Sequence, residues 1–268
     1  MGATGRWDAI RARLEAELGE AITIDALTRD WRIAQRAAGH RHSVDDVLTA
    51  AHAIRAAPAA ERALDLGTGI GGVGLLALWG LPRARLVGVE AQPISHRLLL
   101  ANVEGNELGP RVEPRLGDLR ELALPARFDL VMGSPPYFPL GTGVVPADSQ
   151  KAHARFELRG DVADYARAAA RHLADDGVFV FCFPTAQRAR ALAAVAAAGL
   201  RAAAYRDVVP RRGLAPLFTL FVCRRGAAAG AIEPSIAPDV EPPFVVREQT
   251  GELTAQMQAV RAGFGFAP

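Results

Sequence analysis

The chain has 268 residues, half of them apolar and 22% charged, with a formal net charge of +2. That length suits one large domain with small appendages, and no apolar run is long enough to span a bilayer. The first residues, Met1 to Trp7, carry no apolar signal core, so a cytosolic protein with no membrane partner is expected.

In chain order, Arg6 to Leu18 has helical periodicity and makes a short leading helix. Thr23 to Arg36 alternates like strand and turn. Ser43 to Ala57 reads as a helix, with Ser43 as N-cap and acids in its first turn. From Ala63 the pattern becomes repeated strand–helix units. Strands are expected at Ala63–Leu66, Arg85–Glu90, Val112–Leu116, Phe128–Gly133 and Gly177–Phe183. Helices are expected at Val73–Trp79, Ile94–Glu107, Val162–Ala174 and Thr185–Ala198. Such alternation predicts an α/β fold whose mostly parallel sheet is covered on both faces.

After Leu200 the pattern turns to strand–turn–strand, Ala203–Val209 and Leu217–Cys223, an antiparallel ending. Gly226 to Pro243 is rich in Ala, Gly and Pro and reads as a linker, followed by two strand-like pieces around Thr250-Gly251. The expected division is an N-terminal extension (1–60), a core (61–225) and a tail (226–268). Cys182 and Cys223 sit in apolar runs and suit core packing; no metal-ligand spacing is present. The positive charge is almost wholly arginine, with Lys151 the single lysine, and its small excess neither requires nor excludes an RNA partner.

The first chemical motif, Asp65-Leu66-Gly67-Thr68-Gly69-Ile70-Gly71, closes a strand and opens a helix. Glycines there let the backbone turn sharply and let a ligand lie against it at a helix N-terminus. The next strand ends in Glu90, placed to accept hydrogen bonds from a ribose diol, and the one after ends at Asp118. A G-x-G-x-G run behind an aspartate resembles motif I of the class I S-adenosylmethionine-dependent methyltransferases. That resemblance implies a Rossmann-like seven-stranded sheet with one antiparallel strand and S-adenosyl-L-methionine as cofactor. It gives Asp118 the adenine amino group, although capping its own turn is the alternative reading.

The fourth strand end is Ser134-Pro135-Pro136-Tyr137, two prolines that forgo regular structure. An exocyclic or amide nitrogen is a poor nucleophile because its lone pair is delocalised. A side-chain oxygen and the Pro135 carbonyl, both acceptors, can hold its two N–H groups, with Pro136 stiffening the turn and Tyr137 offering a ring for stacking. The tetrad resembles that of methyltransferases acting on such nitrogens.

Gln35, Gly39, Arg41 and Asp45 ahead of Val47-Leu48, the run His153 to Glu157, and the tail from Pro242 to Val260 extend the likeness. Together they resemble the tRNA (adenine-N6)-methyltransferases that modify the adenine beside the anticodon of valine tRNA. The resemblance adds Arg41 and Asp45 to the cofactor set. It makes tRNA the expected partner, with Phe138, Arg155, Arg211 and Arg212 as candidate contacts. Arg32, Arg36 and Arg41 are further candidates for the RNA backbone. His40, His42 and His153 fall near the expected site, but no base is needed before methyl transfer, so none is assigned a catalytic role.

Serine stands where that family usually has asparagine, a form better known among enzymes methylating cytosine N4. The implied activity is N-methylation, with tRNA adenine N6 first. The alternatives are another acceptor (a small-molecule amine, a peptide or protein amide, or cytosine N4) and a non-catalytic S-adenosylmethionine- or RNA-binding module.

Overall fold

The computed structural model describes residues 3–226 and 237–267. Helix α1 (Ala3–Leu18) leads into the antiparallel pair β1 (Ile22–Ala26) and β2 (Arg32–Arg36), then helix α2 (Val44–Ala56). The alternating segment follows as β3 (Arg62–Leu66), α3 (Gly72–Gly80), β4 (Arg85–Glu90), α4 (Pro93–Gly105), β5 (Val112–Leu116) and β6 (Phe128–Gly133). Two helices, α5 (Ser149–Arg155) and α6 (Val162–His172), precede β7 (Leu173–Pro184). Helix α7 (Arg188–Ala197), strands β8 (Leu200–Val209), β9 (Phe218–Arg225) and β10 (Asp239–Val245), and helix α8 (Ala255–Gly263) complete the chain.

The large sheet has the order β10-β8-β9-β7-β6-β3-β4-β5. Only β9 runs against the others, pairing antiparallel with β7 and β8. The Rossmann-like, mostly parallel sheet with one antiparallel strand is therefore present, and β10 adds an eighth strand parallel to β8. That addition corrects the linker expectation for residues 239–243; residues 227–236 of the same tract lie outside the described residues. Pro242 and Pro243 are tolerated because β10 is an edge strand, and the register shifts between Glu241 and Phe244.

Apolar strands with both faces covered bury alternate residues on opposite sides. Val178 and Val180 of β7 join Ala63, Leu130 and Met132 on one face. Phe179, Phe181 and Phe183 join Leu64, Leu66 and Val131 on the other. There the Phe179, Phe181 and Phe221 rings stack at centroid distances of 4.9 and 4.7 Å.

Strands β4, β5 and β6 have the expected bounds. Strand β7 starts at Leu173 rather than Gly177, which ends α6 at His172. Helices α5 and α8 were not expected. The first is too short to show a period, and the second opens where Thr254 Oγ1 accepts the Met257 N–H at 3.2 Å. Of the strand pieces expected around Thr250-Gly251, Phe244 and Val245 close β10, and the rest is one bridge between Arg247 and Leu253.

Two buried polar residues hold the N-terminal hairpin in place. Asn102 of α4 accepts the Ala34 N–H on Oδ1 at 2.6 Å and donates through Nδ2 to the Ile70 carbonyl at 2.8 Å. Arg36 is buried and pairs with Glu20 and with Asp148, the latter at 2.8 Å. It is a structural tie, not a free RNA contact as expected. With two carboxylate partners, its guanidinium charge is already neutralised locally.

Candidate active site

Strands β3, β4, β5 and β6 are parallel neighbours, so all four end at one edge of the sheet. Gly67, Gly69, Glu90, Asp118, Ser134 and Pro136 line a single cleft there. Gly67 and Gly69 have φ of 62° and 59°, a left-handed backbone that favours glycine. A Cβ at Gly67 would lie 2.0 Å from the Tyr165 hydroxyl, whereas one at Gly69 would meet nothing within 4 Å. Gly69 is therefore the open point of the loop, where a ligand can approach the main chain. Thr68 also lines the cleft, while Gly71 caps α3 outside the lining.

Asp65 lies under the loop. Its Oδ2 accepts from Thr68 Oγ1 at 2.6 Å and from the Gly74 N–H at 3.0 Å, fixing the turn. Burial pushes its carboxyl up to about 6 despite those bonds. Glu90 accepts the Gly69 and Gln92 N–H groups at 2.9 and 2.7 Å, and burial raises its pKa as well. Asp118 meets both readings: it lines the cleft, and its Oδ1 also accepts the Arg120 N–H at 2.9 Å. The Arg120 side chain beside it holds its pKa low.

Two expected cofactor residues stand elsewhere. Arg41 pairs with Asp25 at 2.9 Å, away from the lining, and so is not a free phosphate contact either. Asp45 accepts the Ser43 and Tyr137 hydroxyls instead of lining the cleft. Successive helical residues point about 100° apart, and on α2 it is Asp46 that faces inward. Burial drives the Asp46 pKa well up, and the Asp45 and Asp65 charges add to it. Its nearest basic neighbour is His42, at 3.9 Å, whose own pKa burial lowers. Asp118 has Arg120 beside it and Arg159 lines the cleft, but Asp46, Asp65 and Glu90 pair with no arginine or lysine among the described residues, a setting that suits a positively charged ligand.

Ser134 and Pro136 line this cleft, and Pro135 between them is buried. Tyr137 does not offer a free stacking face. Its ring packs edge-on against Phe183 at 6.1 Å, and its hydroxyl reaches Asp45 at 3.1 Å and Cys182 at 3.2 Å. Its carbonyl accepts the Gln187 side chain at 2.7 Å, which pins the turn. The exposed ring is the next one, Phe138, tilted against Phe156 at 5.5 Å.

His40, His42 and His153 all line the cleft. So do Gln150, Ser95 and Tyr165, which the sequence reading passed over. Gln150 accepts the His40 N–H and donates to Ser95 Oγ, both at 3.1 Å. Its helix α5 has no hydrophobic period, so only the resemblance around His153–Glu157 marked the neighbourhood. The β8–β9 loop lies at the same sheet edge because β8 is parallel to β7. It exposes Arg211, Leu214 and Leu217, whereas Arg212 pairs with Glu248. Arg155 is exposed at the end of α5, and Arg32 is exposed on the N-terminal hairpin.

The sheet order, the glycine turn and the acids at successive strand ends give the fold of the Rossmann-like methyltransferases. A predicted O-methyltransferase from Agrobacterium tumefaciens superposes with a TM-score of 0.61 at 19% identity, over 82% of this chain and 97% of that one. A second solved structure, the M. jannaschii tRNA m1G37 methyltransferase, gives 0.56 at 15% identity over 78% of this chain and 58% of that one.

By sequence, the chain is 30% identical over 136 residues to a tRNA1(Val) (adenine(37)-N6)-methyltransferase of Porphyromonas gingivalis. That match covers 48% of this chain and 52% of the relative. It is also 38% identical over 112 residues to a release factor glutamine methyltransferase of Bordetella pertussis, covering 40% of this chain and 37% of the relative. The chain therefore spans about half, or less, of the curated relatives it matches. No family model matches.

Proposed function

We propose that the protein is an S-adenosylmethionine-dependent N-methyltransferase that methylates the exocyclic N6 of an adenine in tRNA, acting in the cytoplasm. The observation that carries this reading is the opening of Ser134 and Pro136 onto the same cleft as Gly69 and Glu90. Acceptor and cofactor would meet there. Bound S-adenosylmethionine would supply an electrophilic methyl group.

The residues present fit that cofactor. Gly69 leaves its backbone open to a ligand, Glu90 sits where a ribose diol would be accepted, and Asp118 lies at the next strand end. Asp46 and Asp65 favour the positive charge that the sulfonium and amino groups carry. On the acceptor side, Ser134 Oγ and the Pro135 carbonyl would take the two N–H groups of the target amine. The amine lone pair is then directed at the methyl carbon, and the proton released afterwards goes to water. Phe138 offers its exposed ring to the extruded base, and Arg155 and Arg211 offer charge to the RNA backbone.

The likeness to release factor glutamine methyltransferases favours one second reading, a protein glutamine amide as acceptor. The same two oxygens would hold that amide. Labelled methyl transfer to total tRNA from a strain lacking the protein, with nucleoside mass spectrometry, tests the first reading. New N6-methyladenosine is expected. Label in release factor but not in tRNA would transfer the assignment to the amide, and label in neither would refute N-methylation of both.

A further inference from the structure

Serine is an ambiguous choice for holding an amine, because its hydroxyl both donates and accepts. The surroundings of Ser134 remove that ambiguity. Neither Pro135 nor Pro136 has an N–H, so the two residues that follow cannot occupy the Ser134 oxygen, as the second does in ordinary serine turns. Behind the cleft, Ser134 Oγ lies 3.4 Å from Cys182 Sγ, which lies 3.2 Å from the Tyr137 hydroxyl. That hydroxyl donates to Asp45 Oδ2 at 3.1 Å, and Asp45 can only accept when ionised.

We propose that Asp45, through Tyr137 and Cys182, orients the Ser134 hydroxyl so that it turns its proton inward and presents only lone pairs to the cleft. This rests on the N-methyltransferase reading for its purpose but not for its geometry. With the Tyr137 proton committed to Asp45, the Tyr137 oxygen is left as an acceptor facing the thiol. If Cys182 donated to Ser134 instead, the Tyr137 oxygen and the sulfur would face each other at 3.2 Å with no hydrogen between them. The favourable order is therefore Ser134 O–H to Cys182 sulfur, Cys182 S–H to Tyr137 oxygen, and Tyr137 O–H to Asp45. Burial keeps both inner groups protonated: the Cys182 thiol is pushed up to about 12, and the Tyr137 phenol is raised as well. Asp45 and Cys182 are positioning residues. The result is a serine that behaves as the oxygen of an asparagine side chain would.

The thiol stretch in the infrared spectrum of the intact protein tests this directly, since an S–H that donates absorbs at lower frequency. Cys223, buried and without a hydrogen-bond partner among the described residues, supplies the internal reference. The Cys182 band should lie below the Cys223 band, and Tyr137→Phe should bring the two together. A band insensitive to Tyr137→Phe but moved by Ser134→Ala would overturn the proposal. So would one moved by Thr49→Val, since the Thr49 hydroxyl also approaches this thiol.

In methyl transfer, Cys182→Ala should lower kcat about tenfold, as expected for one misdirected hydrogen bond. The KM for S-adenosylmethionine should not change. In a Ser134→Asn background the same substitution should have no effect on kcat, because an amide oxygen needs no orienting. Equal losses in the two backgrounds would also overturn the proposal. If the infrared pattern holds and no acceptor is methylated, the N-methyltransferase reading fails while the hydroxyl orientation stands.

Discussion

Gly67 and Gly69 share a backbone conformation but differ in what surrounds them, so alanine at each should cost different amounts. The left-handed φ of 62° and 59° charges both alanines about 1–2 kcal/mol. At Gly67 the new methyl also lands 2.0 Å from the Tyr165 hydroxyl and 3.0 Å from its ring carbon. Tyr165 is buried on α6, so displacing its ring adds an overpacking cost of about 1–3 kcal/mol. Gly67→Ala should therefore destabilise the protein by about 2–5 kcal/mol and Gly69→Ala by only about 1–2 kcal/mol. Tyr165→Phe removes the clashing oxygen, so it should recover most of the overpacking cost in the Gly67→Ala background. Urea unfolding of the four variants measures this. Equal midpoints for the two glycine variants, or no recovery with Tyr165→Phe, would refute the assignment of the extra cost to this contact.

Other perturbations follow from the same contacts. The Asp65 carboxyl is raised in the folded state to about 6, so the folded chain holds a proton that the unfolded chain has released. Stability from this group is therefore lost as pH rises from about 4 to about 6, by about 3 kcal/mol, and stays lost above that. Asp65→Asn should flatten that slope relative to the parent in denaturant unfolding at pH 4–7, and parallel profiles would count against it. Asn102→Ala strands the Ala34 N–H and the Ile70 carbonyl and should cost about 2–4 kcal/mol, read as a drop in unfolding midpoint. Arg211→Ala should weaken tRNA binding and make its logarithmic salt dependence shallower by about 1, whereas Arg36→Ala should lower stability instead. Filter binding across a salt series and thermal melts distinguish the two outcomes.

Much of the sheet was legible because its central strands are short apolar runs bounded by turn chemistry. Phe128–Gly133 is an instance in which pattern and structure share both ends. The glycine turn and Glu90 were legible because their positions at consecutive strand ends follow once those strands are recognised. What a linear reading misses is the direction of side chains. Asp45 and Asp46 are adjacent acids on one helix, and only packing decides which turns inward. Tyr137 illustrates the same limit: its ring belongs to the tetrad, but Phe183 and Cys182 claim it from behind. Strand β10 was hidden by its composition, since its prolines argue against a strand everywhere except at an edge.

Asn102 connects two parts of the chain that are distant in sequence. One amide group serves Ala34 in the hairpin and Ile70 beside the glycine loop, so ordering of one is coupled to ordering of the other. A ligand that stiffens the loop is then expected to slow amide exchange in β2, and to whatever extent it does, loosening β2 weakens that ligand by the same free energy. Strand β2 would in this sense report cleft occupancy, readable at backbone amides that need not touch the ligand.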